Sequence, residues 1–232
     1  MTLEDLKKDL SLYTDFEKAN ILQRFFKTGK GQYGEGDIFL GIIVPNTRKV
    51  AKKYTDLSLN EIKKILYSKI HEERLCALLL LVEKYKKTDE LNKKKVFNFY
   101  IKNAKQVNNW DLVDLSAPKI VGEYLLDKDR EILYKFARSK NLWKKRISII
   151  STLTFIKNNQ YKDTFNILDI LMKDKHDLIH KATGWMLREV GKKNLIEEEN
   201  FIKKHNKSMS RTTLRYAIEK FSEEKRLKYL KM

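Results

Sequence analysis

The stretch "VNNWDLVDLSAPK" (107–119) sets Trp110, Asp111 and Asp114 ahead of Pro118 in a chain otherwise dominated by lysine. On a helix, Trp110 and Asp114 stand four residues apart and share a face. Pro118 has no N–H to offer the carbonyl of Asp114, and its ring crowds that carbonyl, so a kink or a helix end is expected there. A carboxylate at such a turn is easily projected into a cleft, where it can stabilise positive charge on a reacting group. The plainer alternative is a pair with a neighbouring lysine. Local spacing alone does not choose between them.

Two further blocks carry tryptophan: "NLWKKR", in which Arg146 follows Trp143, and "GWMLREVGK", which holds Trp185. Arg146 lies 36 residues beyond Trp110, and Trp185 another 39. If helical units stack at that period, Trp110, Asp114, Arg146 and Trp185 meet on one wall as an aromatic pair, a carboxylate and a cation. No Ser or Cys nucleophile arrangement stands beside them, nor does a second catalytic carboxylate. Two other patterns are decoys. "GKGQYG" (29–34) has the glycines of a dinucleotide fingerprint, but the segment before it, "FEKANILQRFFKT", reads as a helix, so an inter-helix loop is expected. "HDLIH" (176–180) imitates a zinc helix with Asp177 where glutamate belongs and no third ligand; His71 and His205 have no supporting spacing. No metal site is expected.

Apolar residues recur at three- and four-residue intervals in "EERLCALLLLVEKYKK", "LWKKRISIISTLTFIKN", "YKDTFNILDILMKD" and "HKATGWMLREVGKK", with polar breaks between them. Only "DIFLGIIV" (37–44) resembles a strand, and its flanks argue against one. The chain reads as all-α. A helix opening with a basic residue recurs near Arg74, Arg146, Lys181 and Arg215, separated by 72, 35 and 34 residues. Helix pairs repeating at that length stack into an α-solenoid, with the repeated cations forming a basic stripe on its concave groove. One domain, residues 1–232, is expected, with "SEEKRLKYLKM" capping its C-terminal end.

The charge is +18, from 49 Lys+Arg against 31 Asp+Glu, which points to a polyanion: nucleic acid or an anionic membrane surface. Only 10 of the 49 are arginines, and Asn and Ile are abundant. Such a bias belongs to AT-rich genomes and weakens the argument from charge. The single Cys76, in "LCALLLLV", excludes a disulfide scaffold and reads as a core residue of a reducing compartment. With no signal-peptide stretch and no apolar run near ~20 residues, a cytoplasmic, nucleoid-associated protein is expected.

"NNWDLVDLSAP", "NLWKKR" and "HKATGWMLREVGK", with "FLGIIVPNTRKVAK" upstream, resemble the AlkD-type bacterial DNA alkylation repair glycosylases over most of the chain. The resemblance implies a superhelix of HEAT-like antiparallel helix pairs holding duplex DNA, and excision of cationic N3- and N7-alkylated purines without deep base flipping. Matched by motif, Trp110, Asp114, Arg146 and Trp185 correspond to active-site residues. Asn109 departs from the pattern where relatives can carry a second tryptophan. A purine alkylated at N3 or N7 already carries the charge that an acid would otherwise supply, so a single carboxylate suffices, where glycosidases generally use two. Asp114 is then expected to stabilise the sugar cation and position water, Trp110 and Trp185 to hold sugar and backbone, and Arg146 to anchor a phosphate. Lys144, Lys145, Lys181, Arg188, Arg211 and Arg215 are candidate DNA contacts. No cofactor is implied, and a monomer with its own end helices is expected. The competing readings are a non-catalytic module for distorted or branched nucleic acid, and a protein scaffold.

Overall fold

Short oxygen-bearing side chains mark many of the helix starts, accepting N–H groups that a first turn leaves unpaired. The computed structural model describes residues 1–231. Its contacts divide the chain into two compact units, 1–116 and 117 onward.

The first unit contains α1 (Leu3–Ser11), α2 (Phe16–Phe25), α3 (Val44–Lys53), α4 (Leu59–Leu66), α5 (His71–Lys86), α6 (Glu90–Lys102) and most of α7 (Trp110–Ala117). Thr2 with Asp5, and Ser58 with Glu61, form reciprocal capping boxes at α1 and α4. Every residue from Leu75 to Val82 is buried, so α5 is the central helix, and α3, α4 and α6 pack against it. Cys76 lies inside it, and burial pushes the thiol up to about 12, so it stays protonated at neutral pH and packs as a core residue. Residues 26–43 between α2 and α3 are loop, with one isolated parallel bridge between Ile38 and Ile70 in place of a strand. The loop turns at Gly41, where φ is +80° and an added Cβ would lie 2.0 Å from the carbonyl oxygen of Asp15. Only glycine fits.

Beyond Ala117 the helix does not end at the proline, as the sequence suggested it could. A π-helical turn spans Pro118–Gly122 and leads into the short α8 (Glu123–Leu125). The carbonyl of Pro118 accepts from the Glu123 N–H and from Thr154 Oγ1 at 2.7 Å, so the shifted ladder leaves it satisfied. The chain thus passes the proline as a widened turn and stays helical.

Six helices follow in the second unit: α9 (Glu131–Ala137), which packs on α10 (Leu142–Lys157), α11 (Lys162–Leu171) against α12 (Asp177–Lys193), α13 (Leu195–His205), which also packs on α12, and α14 (Arg211–Ala217). α10, α12 and α14 pack in series, and α9 packs on α11 in the other layer. Phe165 of α11 stacks on Phe201 of α13 at 5.2 Å. α15 (Glu223–Lys231) ends the described chain, with Tyr229 buried. The all-α class is borne out, and this unit's two-layer succession of helices is what a solenoid requires. The repeat register holds too: Arg146, Lys181 and Arg215 are each the fifth residue of their helix, and Arg74 is the fourth of α5. Gly184 makes the α12–α14 approach possible, since a Cβ there would meet the Thr213 carbonyl and the Tyr216 Cβ at 2.5 Å. Among the described residues, no helix is long and apolar enough to cross a membrane.

Candidate active site

α7 begins where a buried asparagine can hold it. Asn109 is fully buried; its Oδ1 accepts the Trp110 N–H at 2.8 Å, and its Nδ2 donates to Asp37 Oδ2 at 3.3 Å. The departure noted at Asn109 is therefore a structural tie between the start of α7 and the loop before α3. From that start Trp110 and Asp114 project from one face, both half-buried, onto a cleft of about 540 Å³ within the first unit. Ile21, Leu22 and Phe25 of α2 form one wall, with Phe39, Ile42 and Pro45 on another. The lining is almost wholly apolar, so a charge inside it is poorly screened by water.

An aromatic column runs beneath Trp110. Its ring stacks on Phe26 at 5.1 Å and 9°, Phe26 stacks on Phe39 at 4.8 Å, and Phe39 stacks on the imidazole of His71 at 4.4 Å. His71, 2% exposed, then closes the circuit: its Nε2 lies 2.8 Å from Oδ2 of Asp111, the neighbour of Trp110. Its Nδ1 lies 3.2 Å from Asp37 Oδ2, which also pairs with Arg74 Nη2 at 2.6 Å. Burial alone would lower the pKa of His71, but the charges and hydrogen bonds of Asp111 and Asp37 outweigh it and raise the value. Burial also works against Asp37, yet the His71 hydrogen bond and the Arg74 charge hold its carboxyl below the usual range. The next residue, Glu72, accepts from the N–H groups of Leu40, Gly41 and Ile42 at 2.9–3.2 Å, fixing the loop that walls the cleft.

Arg146 and Trp185 belong to the second unit. Arg146 is buried and donates from Nη1 to the carbonyl of Leu178 at 2.6 Å; Trp185, half-buried, donates from Nε1 to Glu189 at 3.0 Å. Of the candidate DNA contacts, Lys145 pairs with Asp174 at 2.5 Å, Lys181 with Asp177 at 2.8 Å, and Arg188 with Glu219. Lys144 lies over the ring of Phe136, and Arg211 donates to the carbonyl of Leu230. Arg215 is exposed. The repeated cations thus divide: Arg74 and Arg146 are interior ties, because their guanidinium donors reach backbone carbonyls and carboxylates, while Arg215 faces solvent. His176 and His180 serve the start of α12. The first accepts the Leu178 N–H at 3.1 Å, and Nε2 of the second lies 2.6 Å from the carbonyl of Asp174.

The family described as DNA alkylation repair enzyme matches residues 6–221. The chain belongs to that family. Two solved structures share its fold. A predicted DNA alkylation repair enzyme from Enterococcus faecalis is 16% identical, with a TM-score of 0.70 over 90% of this chain and 97% of that one. AlkD2 from Streptococcus mutans is 18% identical, with a TM-score of 0.56 over 95% and 97%. No curated protein matches the chain. Membership in a DNA alkylation repair family makes DNA the partner of this protein.

Around the cleft stand residues that spacing did not disclose: His71, Asp37, Phe26 and Phe39. His71 meets its carboxylates across 34 and 40 residues of chain. The one local sign was a histidine opening an apolar helix with glutamates directly after it.

Proposed function

We propose that this protein is a DNA glycosylase that excises cationic N3- and N7-alkylated purines from duplex DNA. It acts as a monomer, and residues 1–232 work as one HEAT-like repeat domain. The reading is carried by Asp114, on the wall of an apolar cleft one helical turn from Trp110, in a chain of the DNA alkylation repair family.

The chemistry needs little from the protein. The bond from the sugar C1′ to the purine nitrogen breaks, both electrons leave with the base, and the alkylated purine departs neutral. C1′ becomes electron-poor and takes the oxygen of water, whose proton passes to solvent; an abasic site remains. Asp114 stabilises the positive sugar and orients that water, and the low polarity around it strengthens the attraction. Trp110 presents an aromatic face to sugar and backbone. Trp185 supports the DNA strand, Arg146 braces α12 behind it through the Leu178 carbonyl, and Lys144, Lys145, Lys181, Arg188, Arg211 and Arg215 contribute to phosphate binding.

The test is release of N7-methylguanine from a methylated duplex. Asp114→Asn lowers the single-turnover rate by about 100- to 1000-fold, the scale of losing one preorganised charge stabiliser, while DNA affinity stays near that of the parent. Unchanged excision by that variant overturns the assignment. Binding without release by the unaltered protein favours the non-catalytic reading.

A further inference from the structure

We propose that His71, clamped between Asp37 and Asp111 and joined by ring stacking to Trp110, is a positioning residue that fixes the first turn of α7 and with it the direction of Asp114. The inference rests on the function proposed above and deepens it.

Four observations converge on the histidine. Both ring nitrogens are engaged by carboxylates from different segments, Asp111 on α7 at 2.8 Å and Asp37 in the loop before α3 at 3.2 Å. Its faces are engaged too, by Phe39 at 4.4 Å and Phe26 at 5.1 Å. The column through Phe26 reaches the indole of Trp110, and the hydrogen bond through Asp111 reaches the residue beside it. Two independent linkages therefore run from one imidazole to the same turn. Finally, Asp111 Oδ1 is buried with no protein hydrogen bond, and the side chain is tied to His71 through Oδ2. The protonated imidazole donates to Asp111 and Asp37 together, whereas the neutral ring keeps a single N–H and must release one of the two carboxylates, which opens the clamp.

The groups facing His71 set how it titrates. Asp111 and Asp37 favour the protonated ring, Arg74 on its own helix opposes it, and Lys18, Glu72 and Asp114 line the same cleft. The raised pKa means the protonated clamp is intact at lower pH and opens as pH rises through the folded value. Excision accordingly has an alkaline limb that follows His71. The rate is affected more than DNA affinity, because a small displacement of a reacting group costs about 10- to 100-fold in rate, while phosphate contacts lie elsewhere.

The experiment uses the full chain with 15N-labelled histidine and tryptophan. The imidazole of His71 and the indole of Trp110 are followed by NMR from pH 5 to 9, alongside single-turnover release of N7-methylguanine. The two resonances are expected to titrate with one midpoint that matches the alkaline limb. Asp111→Asn shifts that midpoint towards acid by roughly one to three pH units, as loss of an adjacent opposite charge should, and the limb moves with it. Asp37→Asn shifts it in the same sense and serves if the first variant folds poorly. A Trp110 resonance that ignores the His71 titration overturns the proposal, as does a limb unmoved when the His71 midpoint moves. Absence of excision by the unaltered protein, with the coupled titration present, refutes the glycosylase reading and leaves the positioning clamp standing.

Discussion

α5 and α10 are both sixteen-residue helices buried on nearly every side, and each sets an arginine near its start, yet they treat interior polarity in opposite ways. The first unit places ions inside: Asp37, His71, Arg74 and Asp111 satisfy one another beneath the cleft. Beyond Arg146, the interior polar groups along α10 are hydroxyls. Ser148, Ser151 and Thr152 donate to carbonyls of their own helix, and Thr154 donates to Pro118. A neutral hydroxyl bonded to a carbonyl stays satisfied across the ordinary pH range. A cluster of buried ions is satisfied only in one protonation state, and each member depends on the rest. Neutral bonds therefore hold along α10 across the pH range, whereas the ions beneath the cleft depend on one another's protonation.

The largest effect should come from breaking the ionic interior. Arg74→Ala leaves Asp37 buried with less compensation, and loss of about 3–5 kcal/mol in urea unfolding is expected. A cost no greater than that of a surface substitution would remove the distinction between the two regions.

Glu198 sharpens the comparison from the other side. This acid of the second unit is 2% exposed, and one of its carboxyl oxygens is buried without a hydrogen bond. Burial, with the nearby Glu199 charge, pushes its pKa from 4.5 to about 8. The native state then keeps the proton that the unfolded chain gives up, so stability falls as pH rises between those values, by at most about 1.4 kcal/mol per pH unit. Urea midpoints from pH 5 to 8 should show that decline, and Glu198→Gln should flatten it. A wild-type midpoint that does not decline across the range contradicts a neutral interior.

The smallest effect belongs to Ser151→Ala. Its hydroxyl bonds a carbonyl of its own helix at 2.6 Å, so removal should cost no more than about 1 kcal/mol, measured in the same assay. A penalty approaching that of Arg74→Ala would show that neutral and ionic interiors carry equal weight.

The helices were legible where periodicity and polar breaks agree. "LWKKRISIISTLTFIKN" gave α10 within a residue, and the 35- and 34-residue intervals gave the register of α10, α12 and α14. "LCALLLLV" marked Cys76 as a core residue, and α5 does bury every residue from Leu75 to Val82. Trp110 and Asp114 were legible as a shared face, since four residues is a local spacing. The clamp beneath them was not, because Asp37 sits in a loop and joins Asn109 across 72 residues, a distance at which no pattern survives. Pro118 misled for a different reason. A missing N–H announces a disturbance, but not whether the helix stops or widens into the π-helical turn that runs on through Gly122.

Glu72 has a consequence for where DNA can be held. Three successive backbone N–H groups, at residues 40 to 42, form a concavity of the kind that receives phosphate in other proteins, and here the chain's own glutamate fills it. The loop is self-liganded, so an incoming nucleotide finds that anion seat already taken and meets a cleft rim of hydrocarbon and indole.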